Sequence, residues 1–301
     1  MRVSLRAELV RLGVRVLMKR QSHYGAVDEA RRRLAALEAL VPNPPASTQT
    51  TRVNAGGVKA DRITRPASRP DRNILHLHGG AFLIGSPSMY RHITWRLASA
   101  TRARVLSIDY RLAPEHPFPA ALEDAVAAYR SLMTDGADPR QIAVIGDSAG
   151  GGLAFAMLQK LRDDGMPLPA AAVVLSPWTD LALEGRSVKL HADADPVVNV
   201  RELAKAADYY LAGADPRARY ASPLYGDPAG LPPTLIQVGS DEVLRDDAVR
   251  MADRMRAAGC RVELEIWPRM PHAWQLFAPL LPEANRAIFR IGAFVRGVLD
   301  D

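Results

Sequence analysis

The chain has little of what would mark a secreted, membrane-spanning or fibrous protein. Its one cysteine, Cys260, cannot form an intramolecular disulfide, which fits a reducing compartment. That residue reads as a small side chain leading into a strand. No run of about eighteen apolar residues occurs, so no helix is long and apolar enough to cross a membrane. The start offers no signal-peptide core either, because Arg2, Arg6, Arg11, Arg15, Lys19 and Arg20 interrupt it. A cytoplasmic location is the expectation. The 23 prolines and 21 glycines are scattered rather than gathered in a tract, and no internal repeat is found, which argues against a linker or fibrous architecture. The net charge of +6 suggests an acidic partner, yet the 39 Lys and Arg and the 33 Asp and Glu are interleaved, with only the N-terminal segment a basic block. No nucleic-acid motif accompanies that charge, so nucleic acid is not an expected partner.

What is present is 48% hydrophobic content in 301 residues, enough to bury one large core. Residues 2–21 and 27–40 read as amphipathic helices, the first with Leu5, Leu9, Leu12 and Val16 at helical spacing. The prolines Pro42, Pro44 and Pro45 stop the second, since each lacks the amide hydrogen a continuing helix needs. Beyond Ser47, strands near 48–54, 58–64, 73–78, 103–108, 141–145, 171–176, 234–238 and 261–267 alternate with helices near 88–100, 119–133, 149–163, 244–258 and 283–299. Continuous apolar strands such as Ala171 to Leu175 imply a mostly parallel sheet covered on both faces. Residues 1–45 are expected to be an N-terminal helical cap segment and 46–301 the catalytic domain, with a cap insertion near 180–222 that has helical character around 201–211. The apolar stripe of the first helix is expected to pack against the protein as part of that cap, rather than rest on an anionic membrane surface.

Chemistry is carried by several short segments. Gly146-Asp147-Ser148-Ala149-Gly150 follows the apolar run Ile142 to Ile145 and precedes a helical run. A serine on such a strand-to-helix turn is strained and exposed, with small neighbours where the backbone passes close, as a nucleophile requires. His78-Gly79-Gly80-Ala81-Phe82 follows another apolar run, Ile74 to Leu77. Acyl transfer develops negative charge on a carbonyl oxygen, and backbone amides freed by glycines can meet it; Gly79 and Gly80, with Ala149, are the expected donors. His78 reads as a structural hydrogen-bonding residue. A serine hydroxyl needs a base and an orienting carboxylate. Of seven histidines, His272 is best placed, in a turn after the last strand and before the last helix. The carboxylate must come from the loop after Thr234 to Val238. There Asp246 and Asp247 fall in the first turn of a helix, where negative charge is favourable, leaving Asp241 and Glu242.

These motifs together resemble the bacterial hormone-sensitive lipase family of α/β-hydrolases, and the run Asp109-Tyr110-Arg111-Leu112-Ala113-Pro114-Glu115-His116-Pro117-Phe118-Pro119-Ala120 is similar to a segment of that family. The likeness extends from about residue 45 onward. It implies the α/β-hydrolase fold, a mostly parallel eight-stranded sheet with helices on both faces and a helical cap. It also implies a serine carboxylesterase acting on short-to-medium acyl esters through an acyl-enzyme, with a small-molecule ester as partner, no cofactor and no metal. The family's Asp-Pro-Leu before Arg-Asp aligns on Glu242-Val243-Leu244-Arg245-Asp246, which makes Glu242 the implied acid and Asp241 the runner-up. Ala81 stands where the family often has a third glycine, a change expected to matter little because the donors are the preceding amides. An amidase or formamidase would use the same apparatus. Plant gibberellin receptors resemble the family without its histidine, so His272 argues against a ligand-binding receptor. The last strand is expected at a sheet edge, where it could pair with a second copy in a homodimer.

Overall fold

The computed structural model describes residues 3–18, 27–278 and 280–300. Its spine is an eight-stranded sheet in the order β1-β2-β4-β3-β5-β6-β7-β8. The strands are β1 (Gln49–Ala55), β2 (Val58–Thr64), β3 (Arg69–Leu77), β4 (Ala103–Ile108), β5 (Ile142–Asp147), β6 (Ala171–Leu175), β7 (Thr234–Gly239) and β8 (Val262–Trp267). Only β2 runs against the rest. Strands β5, β6 and β7 are buried at every position, which is why they read as unbroken apolar runs rather than alternating ones. Each expected strand is present. Strand β3 begins four residues earlier than the expected start at 73, through exposed Arg69, Pro70 and Asp71, where the register against β4 shifts.

The helices are α1 (Leu5–Met18), α2 (Val27–Glu38), α3 (Arg91–Thr101), α4 (Ala120–Thr134), α5 (Ala149–Asp163), α6 (Arg186–Leu190), α7 (Val200–Leu211), α8 (Arg245–Ala257) and α9 (Pro282–Asp300). Side chains alternating along the strands feed two cores. Ile74, Val105, Ile145 and Val173 meet Ile93, Leu97, Ile288 and Ile291 of α3 and α9 on one face. Leu75, Val144, Val174 and Ile236 meet Leu122, Phe155 and Met251 of α4, α5 and α8 on the other.

The chain goes from β3 outward to β4, then back past β3 to β5, so the strand order reverses between β3 and β5. A crevice opens outside the carboxyl ends of the strands at such a reversal. The register Leu77↔Gly146 brings the loop after β3 and the turn after β5 side by side there.

The two N-terminal helices lie over different parts of that end. Arg31 of α2 donates to the carbonyls of Leu83 (2.9 Å) and Ala113 (2.8 Å). Helix α1 is tied by Ser4 to Glu283, by Arg11 to Asp241 at 3.0 Å and by Glu8 to Arg269 at 2.6 Å. The expected packing of its apolar stripe is corrected. Ala7 is the buried residue, whereas Leu5, Leu9, Leu12 and Val16 stand 85%, 69%, 61% and 52% exposed. The reason is that polar anchors off the strip, Ser4 just before the helix with Glu8 and Arg11 in it, fix the helix rotation. The expected ends of this helix at residues 2 and 19–21 lie outside the described residues.

Candidate active site

Ser148 sits at the junction of β5 and α5 with φ 52° and ψ −121°, a backbone conformation an L-residue holds only when its surroundings impose it. The surroundings do so through backbone bonds: the Ser148 amide donates to Leu175 O (2.8 Å), and its carbonyl accepts from the Trp178 amide (2.9 Å). The two flanking glycines are required by space. A Cβ on Gly146 would lie 2.2 Å from the Gly150 carbonyl oxygen, and one on Gly150 would lie 2.1 Å from that of Leu77. Strand, turn and helix could not approach this closely with side chains there.

Glu242 and His272 come from the loops after β7 and β8 and meet in the interior. Nδ1 of His272 lies 2.9 Å from Oε2 of Glu242, which is wholly buried. The other carboxylate oxygen, Oε1, accepts from the Gly239 amide (2.6 Å) and the Ser176 hydroxyl (2.7 Å). That hydroxyl in turn accepts from the Ala273 amide at 3.1 Å. The nucleophile turn and the histidine turn are thereby bonded to consecutive residues, Leu175 and Ser176, at the end of β6. Asp241 points elsewhere: its carboxylate pairs with Arg11 and accepts from the Ser240 hydroxyl at 2.6 Å.

Electrostatics favour an activated imidazole. Burial opposes protonation of His272, but the hydrogen bond and negative charge of Glu242, assisted by Asp195 and Asp147, outweigh it and hold the pKa above 6.5. Burial pushes the Glu242 carboxyl upward, opposed by the hydrogen bonds from His272 and Ser176. His78 is lowered to about 4 by burial and is neutral; it stacks on Tyr110 with centroids 4.2 Å apart, and its Nδ1 lies 2.7 Å from Gly79 O.

The oxyanion loop departs from expectation at one residue. The Gly79 amide already donates to Asp147 Oδ1 and to the Tyr90 hydroxyl, both at 3.0 Å, so it is not available to a ligand. The Gly80, Ala81 and Ala149 amides have no partner among the described residues. Gly80 and Ala81 have φ of 114° and 55°, which turns the chain so that its amides leave the strand ladder. The Ala81 amide is thus free of partners among the described residues, as those of Gly80 and Ala149 are.

Sequence reasoning missed four supporting residues. Asp147, 3% exposed and raised to about 6 by burial, accepts from both Gly79 and Tyr90, the latter at 2.9 Å. Ser176 links acid and histidine loops. Asp195 accepts from the Val243 amide at 2.9 Å and steadies the acid loop. Of these only Asp147 had a visible signal, its place inside the Gly146 to Gly150 motif. Among the described residues, no group of three His, Cys, Asp or Glu side chains is placed to hold a metal ion, and no helix is long and apolar enough to cross a membrane.

The likenesses to known proteins agree with this geometry. A family model described as the alpha/beta hydrolase fold matches residues 74–276. The acetyl-hydrolase of Streptomyces hygroscopicus is 52% identical over 244 residues, 81% of each chain. The esterase of Acinetobacter venetianus is 35% identical over 259 residues, covering 85% of this chain and 84% of its own. A crystal structure of an esterase from the bacterial hormone-sensitive lipase family superposes with TM-score 0.93 at 46% identity, over 99% of this chain and 100% of that one. EstE5 soaked with p-nitrophenyl butyrate gives TM-score 0.94 at 39% identity, with coverage of 99% and 100%. Fold and relatives define a carboxylic-ester hydrolase of the α/β-hydrolase class. Within that class, the chain belongs to the bacterial hormone-sensitive lipase family.

Proposed function

We propose that the chain hydrolyses carboxylic esters of short-to-medium acyl length through an acyl-enzyme on Ser148. The observation that carries this reading is the buried Glu242 to His272 pair, with three backbone amides at the carboxyl ends of β3 and β5 that have no partner among the described residues. Nε2 of His272 takes the proton of the Ser148 hydroxyl as its oxygen bonds to the ester carbonyl carbon. The amides of Gly80, Ala81 and Ala149 hold the oxyanion, with Ala81 replacing Gly79 in the set. His272 returns the proton to the departing alcohol. It then takes a proton from the water that attacks the acyl-enzyme carbonyl, and passes it to the Ser148 oxygen as that bond breaks and the acid is released.

The acyl length is supported by a group of buried rings. Phe82, next to Ala81, stacks on Tyr210 at 3.7 Å and lies 6.2 Å from Trp178, so rigid aromatic bulk limits the space beside the oxyanion loop. Helices α1 and α2 with the 180–222 segment act as the cap over the catalytic domain of residues 46–301; Arg31 on the Leu83 carbonyl and Tyr210 on Phe82 support that division. A cytoplasmic location and a homodimer through the edge of β8 belong to the same reading, supported by the lone Cys260 and by β8 having β7 as its one strand neighbour among the described residues.

A fluorophosphonate is expected to add once per chain, on the peptide bearing Ser148, with parallel loss of p-nitrophenyl ester turnover; an adduct on another peptide overturns the assignment. Matched esters and amides separate the esterase from an amidase. The pH dependence has a defined sign. The base works only when neutral, and its pKa is raised, so kcat/KM is lost as pH falls through a midpoint above the ordinary imidazole value of 6.5. A pH–rate profile with its acid limb below that value contradicts the pairing with Glu242.

A further inference from the structure

We propose that α1 is an interfacial helix that rests on an anionic phospholipid surface. At about 100° per residue, Leu5, Leu9, Leu12 and Val16 fall in a strip about 60° wide. Arg6 and Arg15, both exposed, lie about 60° beyond its two edges. Among the described side chains of this helix, the exposed positions apart from Gly13 are those four apolar residues and those two arginines. An apolar strip flanked by Arg6 on one side and Arg15 on the other, with the intervening Glu8 neutralised by Arg269, matches a bilayer interface, where the strip enters the acyl boundary and the guanidinium groups reach the headgroup phosphates. Arg2, Lys19 and Arg20 add positive charge to the same segment.

The orientation is built in. Ala7 on the opposite face is buried, and Ser4, Glu8 and Arg11 are bonded to Glu283, Arg269 and Asp241. Turning the strip inward would break all three contacts. Two of these partners sit close in sequence to the site: Asp241 precedes Glu242, and Arg269 is three residues before His272. A membrane engaged by α1 therefore lies at the rim that holds the proposed acid and base. The surface contact itself does not depend on the esterase reading. A second copy is a poorer occupant, because a two-fold contact through the strip would gather Arg6 and Arg15 of both copies around one small patch whose flanking carboxylate, Glu8, is already paired with Arg269.

The test uses the full chain and sedimentation with vesicles of phosphatidylcholine alone or with phosphatidylglycerol added. Binding to the anionic vesicles, weakened by salt, is expected. Leu9→Ser with Leu12→Ser is expected to abolish it, and Arg6→Gln with Arg15→Gln to weaken it about thirtyfold. Unchanged unfolding midpoints show that these exposed substitutions leave the fold intact. Failure of the unsubstituted chain to bind, equal binding to phosphatidylcholine alone, or full binding by the serine variant each overturns the proposal. So does a dimer, detected by light scattering, that the serine variant converts to monomer while vesicle binding persists.

Discussion

Ser148→Ala is expected to lower kcat for p-nitrophenyl butyrate by about 10⁴- to 10⁶-fold with little change in KM. The substitution removes one oxygen and nothing that shapes the turn, since the bonds holding residue 148 to Leu175 and Trp178 are main-chain bonds. Alanine tolerates the same positive φ at positions 81 and 273 of this chain. The unfolding midpoint should therefore stay within a few degrees while turnover collapses. Residual hydrolysis would come from the oxyanion amides and substrate binding alone. Turnover near that of the unsubstituted chain would sink the proposed nucleophile.

Glu242→Gln is expected to lower kcat by about 10⁴-fold, through the tautomer of His272 rather than through lost charge alone. Oε1 faces two donors, the Gly239 amide and the Ser176 hydroxyl, whose own acceptor capacity is engaged by Ala273. A glutamine must place its carbonyl oxygen there, which turns its amide nitrogen toward Nδ1. Nδ1 then has to accept, Nε2 carries the proton, and the imidazole cannot take one from Ser148. The acid limb of kcat/KM should also move to lower pH, because the charge that raised His272 is gone. Asp241→Asn serves as the contrast. Its carboxylate is partly exposed and paired with Arg11, so kcat should stay within about twofold and stability within about 1 kcal/mol. A larger loss from Asp241→Asn than from Glu242→Gln would reverse the assignment.

Much of the scaffold was legible because its strands are buried on both faces and bounded by glycine and proline. The turn around Ser148 was legible for a related reason: close backbone approach forces glycine at 146 and 150, and that leaves a pattern in the chain. The use of individual amides left no such pattern. Gly79 and Gly80 look alike as letters, and only the position of Asp147 and Tyr90 decides which of them is spent internally. Helix α6, five residues long, is too short for a period to show. The stripe on α1 was visible but its direction was not, since hydrophobic periodicity locates a face without saying what it meets. Polar residues off the strip, through partners more than two hundred residues away, settled that.

The carboxylate of Asp147 has a consequence of its own. It belongs to the chain segment that carries the proposed nucleophile, yet it grips the segment that carries the proposed oxyanion amides. Sixty-eight residues of loop, helix and strand lie between Gly79 and Ser148 along the polypeptide. The spacing between the proposed attacking oxygen and the proposed stabilising amides is nevertheless held by this short clamp together with the β3–β5 pairing beneath it. Loss of the Asp147 carboxylate would therefore disturb the alignment of both segments at once, although neither the Ser148 hydroxyl nor the loop amides would themselves be changed.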